Sequence, residues 1–324
     1  MCKIDLTAAP FNLTADAIKW VEETRAQMSL EEKIGQLFCP LGMSPEQDYL
    51  QREIVDRHVG GILFRNGRGS EMQGVHNFLQ QQSKIPLLIA ANLEAGGDGI
   101  AVDGTAFGKQ LGVAAADDKQ HAYHLGKVAC AEGKAVGCNW AFAPVVDIDK
   151  NYHNPITNVR TLGDDPAKII TYAKEYIRAA QEEKVATSIK HFPGDGIDER
   201  DQHLVTSVNT LSCEEWDASY GRIYEELIAA GTLTVMIGHI ALPAYEEKYS
   251  PENKERIVPA SQSQALMQKL LREKLGFNGL IVSDATPMVG FCAGRKREEA
   301  VPLCIENGCD MFLFNKDLAE DIEE

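Results

Sequence analysis

The chain has 324 residues, 44% of them hydrophobic, and a formal net charge of −16. That length exceeds an ordinary domain but suits an α/β barrel built as one unit. The acidity argues against nucleic acid and anionic membranes as partners, because both need clustered Lys and Arg; solubility is its plainest role. No apolar run approaches the roughly 18 residues that span a bilayer. Residues 1–11 include Asp5 and do not read as a secretory signal. The eight cysteines, at 2, 39, 130, 138, 213, 292, 304 and 309, contain no CxxC pair. They read as reduced, mostly structural thiols of a cytoplasmic protein.

Taken in chain order, apolar strands alternate with helical patterns. Ser29 with Glu32 three residues on is a capping box. Strands are predicted at 35–39, 60–64 and 86–92, then a helix at 117–136 and a strand at 140–146. Asp165-Pro166 opens a helix over 166–183, with Pro at its first position. A strand follows at 186–191. Ser212 caps a helix over 213–230 that Gly231 ends. The last predicted elements are a strand at 234–239, a helix at 262–274, a strand at 279–283, a helix at 296–307 and a strand at 310–314.

Eight strands separated by crossover-length segments imply a parallel sheet. The run Glu94-Ala95-Gly96-Gly97-Asp98-Gly99 lacks the GxGxxG spacing of a dinucleotide fold. The expected fold is therefore a (β/α)8 TIM-type barrel forming one domain over 1–324. Only residues 315–324 follow the last strand, too few for a complete eighth helix. The expectation is a fragment of a longer protein, or a chain that covers its last strand by self-association.

In a parallel barrel the polar residues at strand C-termini share one mouth. Here these are Asn92 and Glu94, Asp147 and Asp149, Lys190 and His191, His239, and Asp284. Lys190-His191 and Asp284 end apolar runs abruptly, which is costly unless a pocket uses them. Asp147 and Asp149 read equally well as loop caps, and His239 as a packed core histidine. A metal-dependent hydrolase reading of Lys190, His191, His239 and Asp284 lacks the His-x-His that such sites need, so neither a metal nor another cofactor is expected.

The ordered motifs resemble the N-terminal barrel of glycoside hydrolase family 3, closest to its β-N-acetylglucosaminidase branch. They are Met28–Leu37, Gly60–Phe64, Glu94 with Gly96-Gly97, Phe142–Asp147, Arg160–Pro166, Lys190–Gly194, Asp201–Leu204 and Gly276–Asp284. The resemblance implies a retaining exo-β-glycosidase acting on terminal β-N-acetylglucosaminides or related β-hexosides, with a carbohydrate substrate. By it, Asp284 matches the nucleophile, and Arg160, Lys190 and His191 match residues that hold sugar hydroxyls. Asn92 stands where the family generally has an Asp.

The branch is expected to continue the Lys-His-Phe-Pro-Gly run with His-Gly-Asp, a histidine acid/base and its orienting carboxylate. This chain has Asp195-Gly196-Ile197. Three readings follow: Asp195 is itself the acid/base, the acid/base lies in a C-terminal region, or the barrel binds glycans without catalysis. For the first, Gly194 and Gly196 are expected to let the Asp195 loop swing over the sugar.

Overall fold

A computed structural model describes residues 4–254, 256–292 and 294–324. Cys2 lies outside them; the seven described cysteines are all free thiols. The chain is an α/β fold around a parallel sheet. In chain order its strands are β1 (Phe38–Cys39, continued by Leu41–Gly42), β2 (Gly61–Phe64), β3 (Leu88–Ala91), β4 (Trp140–Ala141), β5 (Ala186–Phe192), β6 (Thr234–Ile237), β7 (Leu280–Ser283) and β8 (Phe312–Leu313). Consecutive strands from β1 to β7 pair in parallel. β8 pairs with Phe38–Cys39, and Met311 just before it bridges Val282 of β7.

Strand periodicity sorts the core into two layers. Cys39, Leu63, Ala90, Trp140, Met236, Val282 and Leu313 pack on the inner face. Alternate residues such as Phe38, Ile62, Ile89, Ile189, Val235, Ile281 and Phe312 pack outward against helices. The helix Pro166–Glu182 shows why: Ile169, Ile170, Ala173, Tyr176, Ile177 and Ala180 recur at helical spacing and are buried together.

The capping signals do what their chemistry predicts. Ser29 and Ser212 each form a reciprocal capping box, with Glu32 and Glu215. Asp165 caps the helix that Pro166 begins, and Gly231 takes a φ of +87° after the helix Arg222–Ala229. Several element boundaries differ from expectation, and three of the differences have a local cause. Residues 35–37 are not strand, because the helix started by Ser29 runs on to Gly35. The helix expected from 117 starts at Gln120, since Asp117 takes a φ of +55°. The strand expected over 140–146 shortens to Trp140–Ala141. Beyond it the buried Gln110 side chain replaces a strand neighbour, donating to the Val145 carbonyl at 2.9 Å and accepting from the Val145 N–H at 3.2 Å.

Two features bear on the mouth at the strand C-termini. Ser207–Val208 pairs with Ile240–Ala241 as a small parallel ribbon, tying the segment after β5 to the one after β6. The last residues form a helix, Leu318–Glu323, whose Leu318 and Ile322 pack on the core. Its buried Asp321 receives Arg297 through two hydrogen bonds of 2.7 and 2.6 Å. Arg297 also donates to the carbonyl and hydroxyl of Thr286, both at 3.1 Å, two residues past Asp284. Among the described residues, no helix is long and apolar enough to cross a membrane.

Removing one partner of a buried ion pair strands the other charge. Asp321→Ala should therefore lower the unfolding free energy by about 3 kcal/mol. Urea denaturation checks this, and a loss below about 1 kcal/mol would show Arg297 to be solvated rather than buried.

Candidate active site

The strand C-termini enclose a cavity of about 360 Å³ lined by Asn92, Glu94, Arg160, Lys190, His191, His203 and Asp284, among others. Asn92, Arg160, Lys190, His191 and Asp284, which the sequence put forward as site residues, thus share one cavity. Asp195 does not: it is 2% exposed and lies outside the cavity lining.

Glu94 anchors the cationic wall. Its carboxylate takes Arg160 Nε at 3.0 Å and Nη2 at 2.8 Å, and Lys190 Nζ at 2.6 Å. Burial alone would push the Glu94 carboxyl up, but Lys190 and Arg160 outweigh it and hold it well below the usual carboxylate range. Arg160 is raised by the same pairing despite its own burial. Arg160 Nη1 donates to the Ile156 carbonyl at 3.5 Å, and because Arg and Lys only donate hydrogen bonds, any donor that remains can be met only by an acceptor.

Asp147 organises the next wall. Only 1% exposed, it accepts His191 Nδ1 at 2.7 Å, the His191 N–H at 3.1 Å and the Asp195 N–H at 2.8 Å. A carboxylate only accepts, so Nδ1 carries the ring hydrogen and Nε2 is turned elsewhere. That atom lies 4.0 Å from Asp284 Oδ2.

Asp284 follows β7 directly. Burial would raise its carboxyl, but His191, His239, the Ala285 amide and Lys190 bring it below its ordinary value. The amide hydrogen bond is 2.7 Å long. The result is an ionised carboxylate in a partly enclosed cavity. His239 is the packed histidine expected: its ring nitrogens meet Ser261 Oγ at 2.9 Å and the Ala285 carbonyl at 3.0 Å.

The geometry around Asp195 corrects the expected mobile loop. Gly194 and Gly196 take φ values of +119° and +102°, and a Cβ on either would lie 2.1 Å from the Tyr220 ring or 1.9 Å from the Ile148 carbonyl oxygen. These glycines permit close packing rather than motion. Tyr220 OH donates to the Asp195 carbonyl at 2.6 Å. The carboxylate itself accepts from Asn154 Nδ2 and the Gly196 N–H, at 2.8 and 2.7 Å, and from Gln202 Nε2 at 3.3 Å.

His203 of the Asp201–Leu204 motif, to which the sequence assigned no role of its own, lines the cavity instead. His203 Nδ1 donates to Asp201 Oδ1 at 2.6 Å, and the His203 side chain is 53% exposed. With Nδ1 spent on Asp201, Nε2 is the ring nitrogen that remains for a ligand. The signal was present as Asp-x-His, but in a polar loop that spacing does not tell a proton carrier from a solvated pair. Among the described residues, no group of three or more His, Cys, Asp or Glu side chains is placed to hold a metal ion.

Residues 29–324 match the family model described as Glycosyl hydrolase family 3 N terminal domain. The chain belongs to glycosyl hydrolase family 3. It is 48% identical over 319 residues to a protein from Cellulomonas fimi named Beta-N-acetylglucosaminidase/beta-glucosidase, covering 98% of this chain and 57% of that one. A solved structure of a β-glucoside phosphorylase, BglX bound to 2FGlc, superposes with a TM-score of 0.94 at 46% identity, covering 98% of this chain and 58% of that one. A family 3 β-N-acetylglucosaminidase from Paenibacillus sp. str. FPU-7 gives a TM-score of 0.84 at 28% identity, covering 91% and 56%. The chain therefore spans less than two thirds of the length of each of these three relatives.

Burial and the adjacent Asp147 push the Asp195 carboxyl up to about 6. A carboxyl that holds its proton more tightly folded than unfolded costs stability as pH rises from its ordinary 3.8 toward about 6. The stability of Asp195→Asn relative to wild type should therefore rise by roughly 2–3 kcal/mol between about pH 4 and pH 7. Urea unfolding at both pH values tests this, and a pH-independent difference contradicts it.

Proposed function

We propose that this chain carries the catalytic centre of a retaining exo-β-glycosidase acting on terminal β-N-acetylglucosaminides or related β-hexosides. The observation that carries the reading is an ionised Asp284 on the same cavity as a carboxylate-oriented His203. The pairing of β8 with Phe38–Cys39 and the Met311 bridge to β7 support a closed (β/α)8 barrel beneath it.

In this reading Asp284 attacks the anomeric carbon and forms a glycosyl-enzyme intermediate. His203, oriented by Asp201, protonates the departing glycosidic oxygen and then takes a proton from the incoming acceptor. Arg160, Lys190 and His191 donate to sugar hydroxyls. Asn92 both donates and accepts there, without the charge of an Asp. The acid/base role thus moves from Asp195, whose carboxylate is occupied away from the cavity, to His203.

Phosphate in place of water is the second reading for the acceptor. An acid/base carboxylate would repel an incoming phosphate, whereas a neutral imidazole does not. The likeness to a β-glucoside phosphorylase points the same way. Adding orthophosphate should then speed turnover and yield a sugar 1-phosphate; unchanged rates with free sugar as sole product assign water.

Asp284→Ala should abolish turnover, by about 10⁴-fold or more, with little change in melting temperature. A 2-fluoro sugar should label Asp284, and mass spectrometry of the peptide decides the matter: label on another carboxylate removes Asp284 from the role.

His203→Asn should erase the alkaline limb of the pH–rate profile. It should slow phenyl β-glycosides about 10²-fold while sparing dinitrophenyl ones, whose leaving groups need no proton. A variant that keeps the limb would show that the proton comes from elsewhere.

A further inference from the structure

Asp195 is buried behind the cavity, yet its hydrogen bonds lead straight to the acid/base loop. Its Oδ1 accepts the Gly196 N–H and Asn154 Nδ2, and its Oδ2 accepts Gln202 Nε2. Gln202 is itself buried, and its Oε1 accepts the His239 N–H at 2.9 Å. The Gln202 side chain is thus strung between the segment after β5 and the segment after β6. His203 is the next residue, and its carbonyl accepts the Val289 N–H at 2.9 Å. The loop is hung from Gln202 on one side and from the segment following Asp284 on the other.

We propose that Asp195 is a positioning residue: by fixing which way the Gln202 amide points, it places His203 at the catalytic cavity. This rests on His203 being the acid/base, as argued above.

The physical basis is donor–acceptor parity along a short buried chain. An ionised carboxylate only accepts, so Gln202 must turn its NH2 toward Asp195. That leaves its carbonyl oxygen facing His239, whose N–H needs an acceptor. Each group has one satisfied orientation, and burial makes the alternative costly. The Asp195 backbone cannot shift to relieve a mismatch, since Asp147 and Tyr220 hold its N–H and carbonyl.

An amide at 195 breaks the parity. Its oxygen would keep Gly196 and Asn154, and its NH2 would then meet the NH2 of Gln202. Turning Gln202 round would repair that contact and set its NH2 against the His239 N–H. A carboxylate at 202 would accept from both. Asp195→Asn should therefore be harmful, and Gln202→Glu added to it should restore the chain of bonds with the charge moved by one link.

The test measures kcat/KM on phenyl and dinitrophenyl β-glucosides across pH, on the same full chain used for His203→Asn. Asp195→Asn should lose about 10–100-fold on the phenyl substrate and less than about 3-fold on the dinitrophenyl one, while keeping the alkaline limb. The double variant Asp195→Asn/Gln202→Glu should return to within about 3-fold of wild type with the wild-type pH profile. If Asp195→Asn does not fold, Gln202→Ala carries the same comparison, because it removes the link without touching Asp195.

Equal losses on both substrates would overturn the inference, as would no recovery in the double variant or recovery with a displaced profile. Disappearance of the limb in Asp195→Asn would make Asp195 the proton donor and overturn it too. Retention of the limb in His203→Asn would instead sink the acid/base assignment itself, and this inference with it. Equal losses in Asp195→Asn, with the limb lost in His203→Asn, would sink only the inference.

Discussion

Asp147 is a carboxylate with no solvent to turn to, and three donors from the neighbouring strand end converge on it. A charge so placed persists only when its acceptor capacity is filled. The demand sets the path of the chain after β5: both the 191 and 195 amides must point at one group. It also sets the His191 tautomer, and so which ring nitrogen faces Asp284. The direction of the cavity wall follows from this one buried acceptor.

The same burial drives neighbouring carboxyls in opposite directions. Glu94 and Asp284 lie among cations and amide donors, and both are held ionised against the desolvation that would protonate them. Asp195 has Asp147 as its near charge, and burial and repulsion act together to raise it. The deciding quantity is the sign of the nearby charge: at Glu94 direct ion pairs at 2.6–3.0 Å outweigh the loss of hydration, and at Asp284 the Ala285 amide at 2.7 Å and His191 at 4.0 Å contribute to the same result. Carboxyls pushed in opposite directions thus stand around the same strand C-termini.

Support for the Asp284 segment reaches to the far end of the chain. Thr286 is held by Arg297, and Arg297 by Asp321 in the last helix. His239 reaches the Ala285 carbonyl from β6's side. Rigid elements on both flanks leave the carboxylate little freedom, which suits a group whose chemistry depends on its orientation.

Much of this was legible in the sequence because it depends on local physics. Strand and helix periods follow from which side chains must leave water, so all eight strands and the helix Pro166–Glu182 could be placed from apolar spacing. Caps such as Ser29 with Glu32 need only residues three apart. The strand-end residues Asn92, Lys190, His191 and Asp284 stood out as ionisable or polar groups beside the mouth, the family resemblance added Arg160, and one cavity holds them. The roles of Asp147, Asp195 and His203 could not be read that way. Each depends on contacts between segments far apart in the chain: Asp147 with the end of β5, Asp195 with Asn154, and Gln202 with His239. The sequence put Asp195 forward as an acid/base candidate and gave His203 no role beyond its place in the Asp201–Leu204 motif. Only the packed structure decided that a tyrosine ring and a carbonyl oxygen lock the first in place, while the second stands half-exposed at the cavity with its ring turned by Asp201.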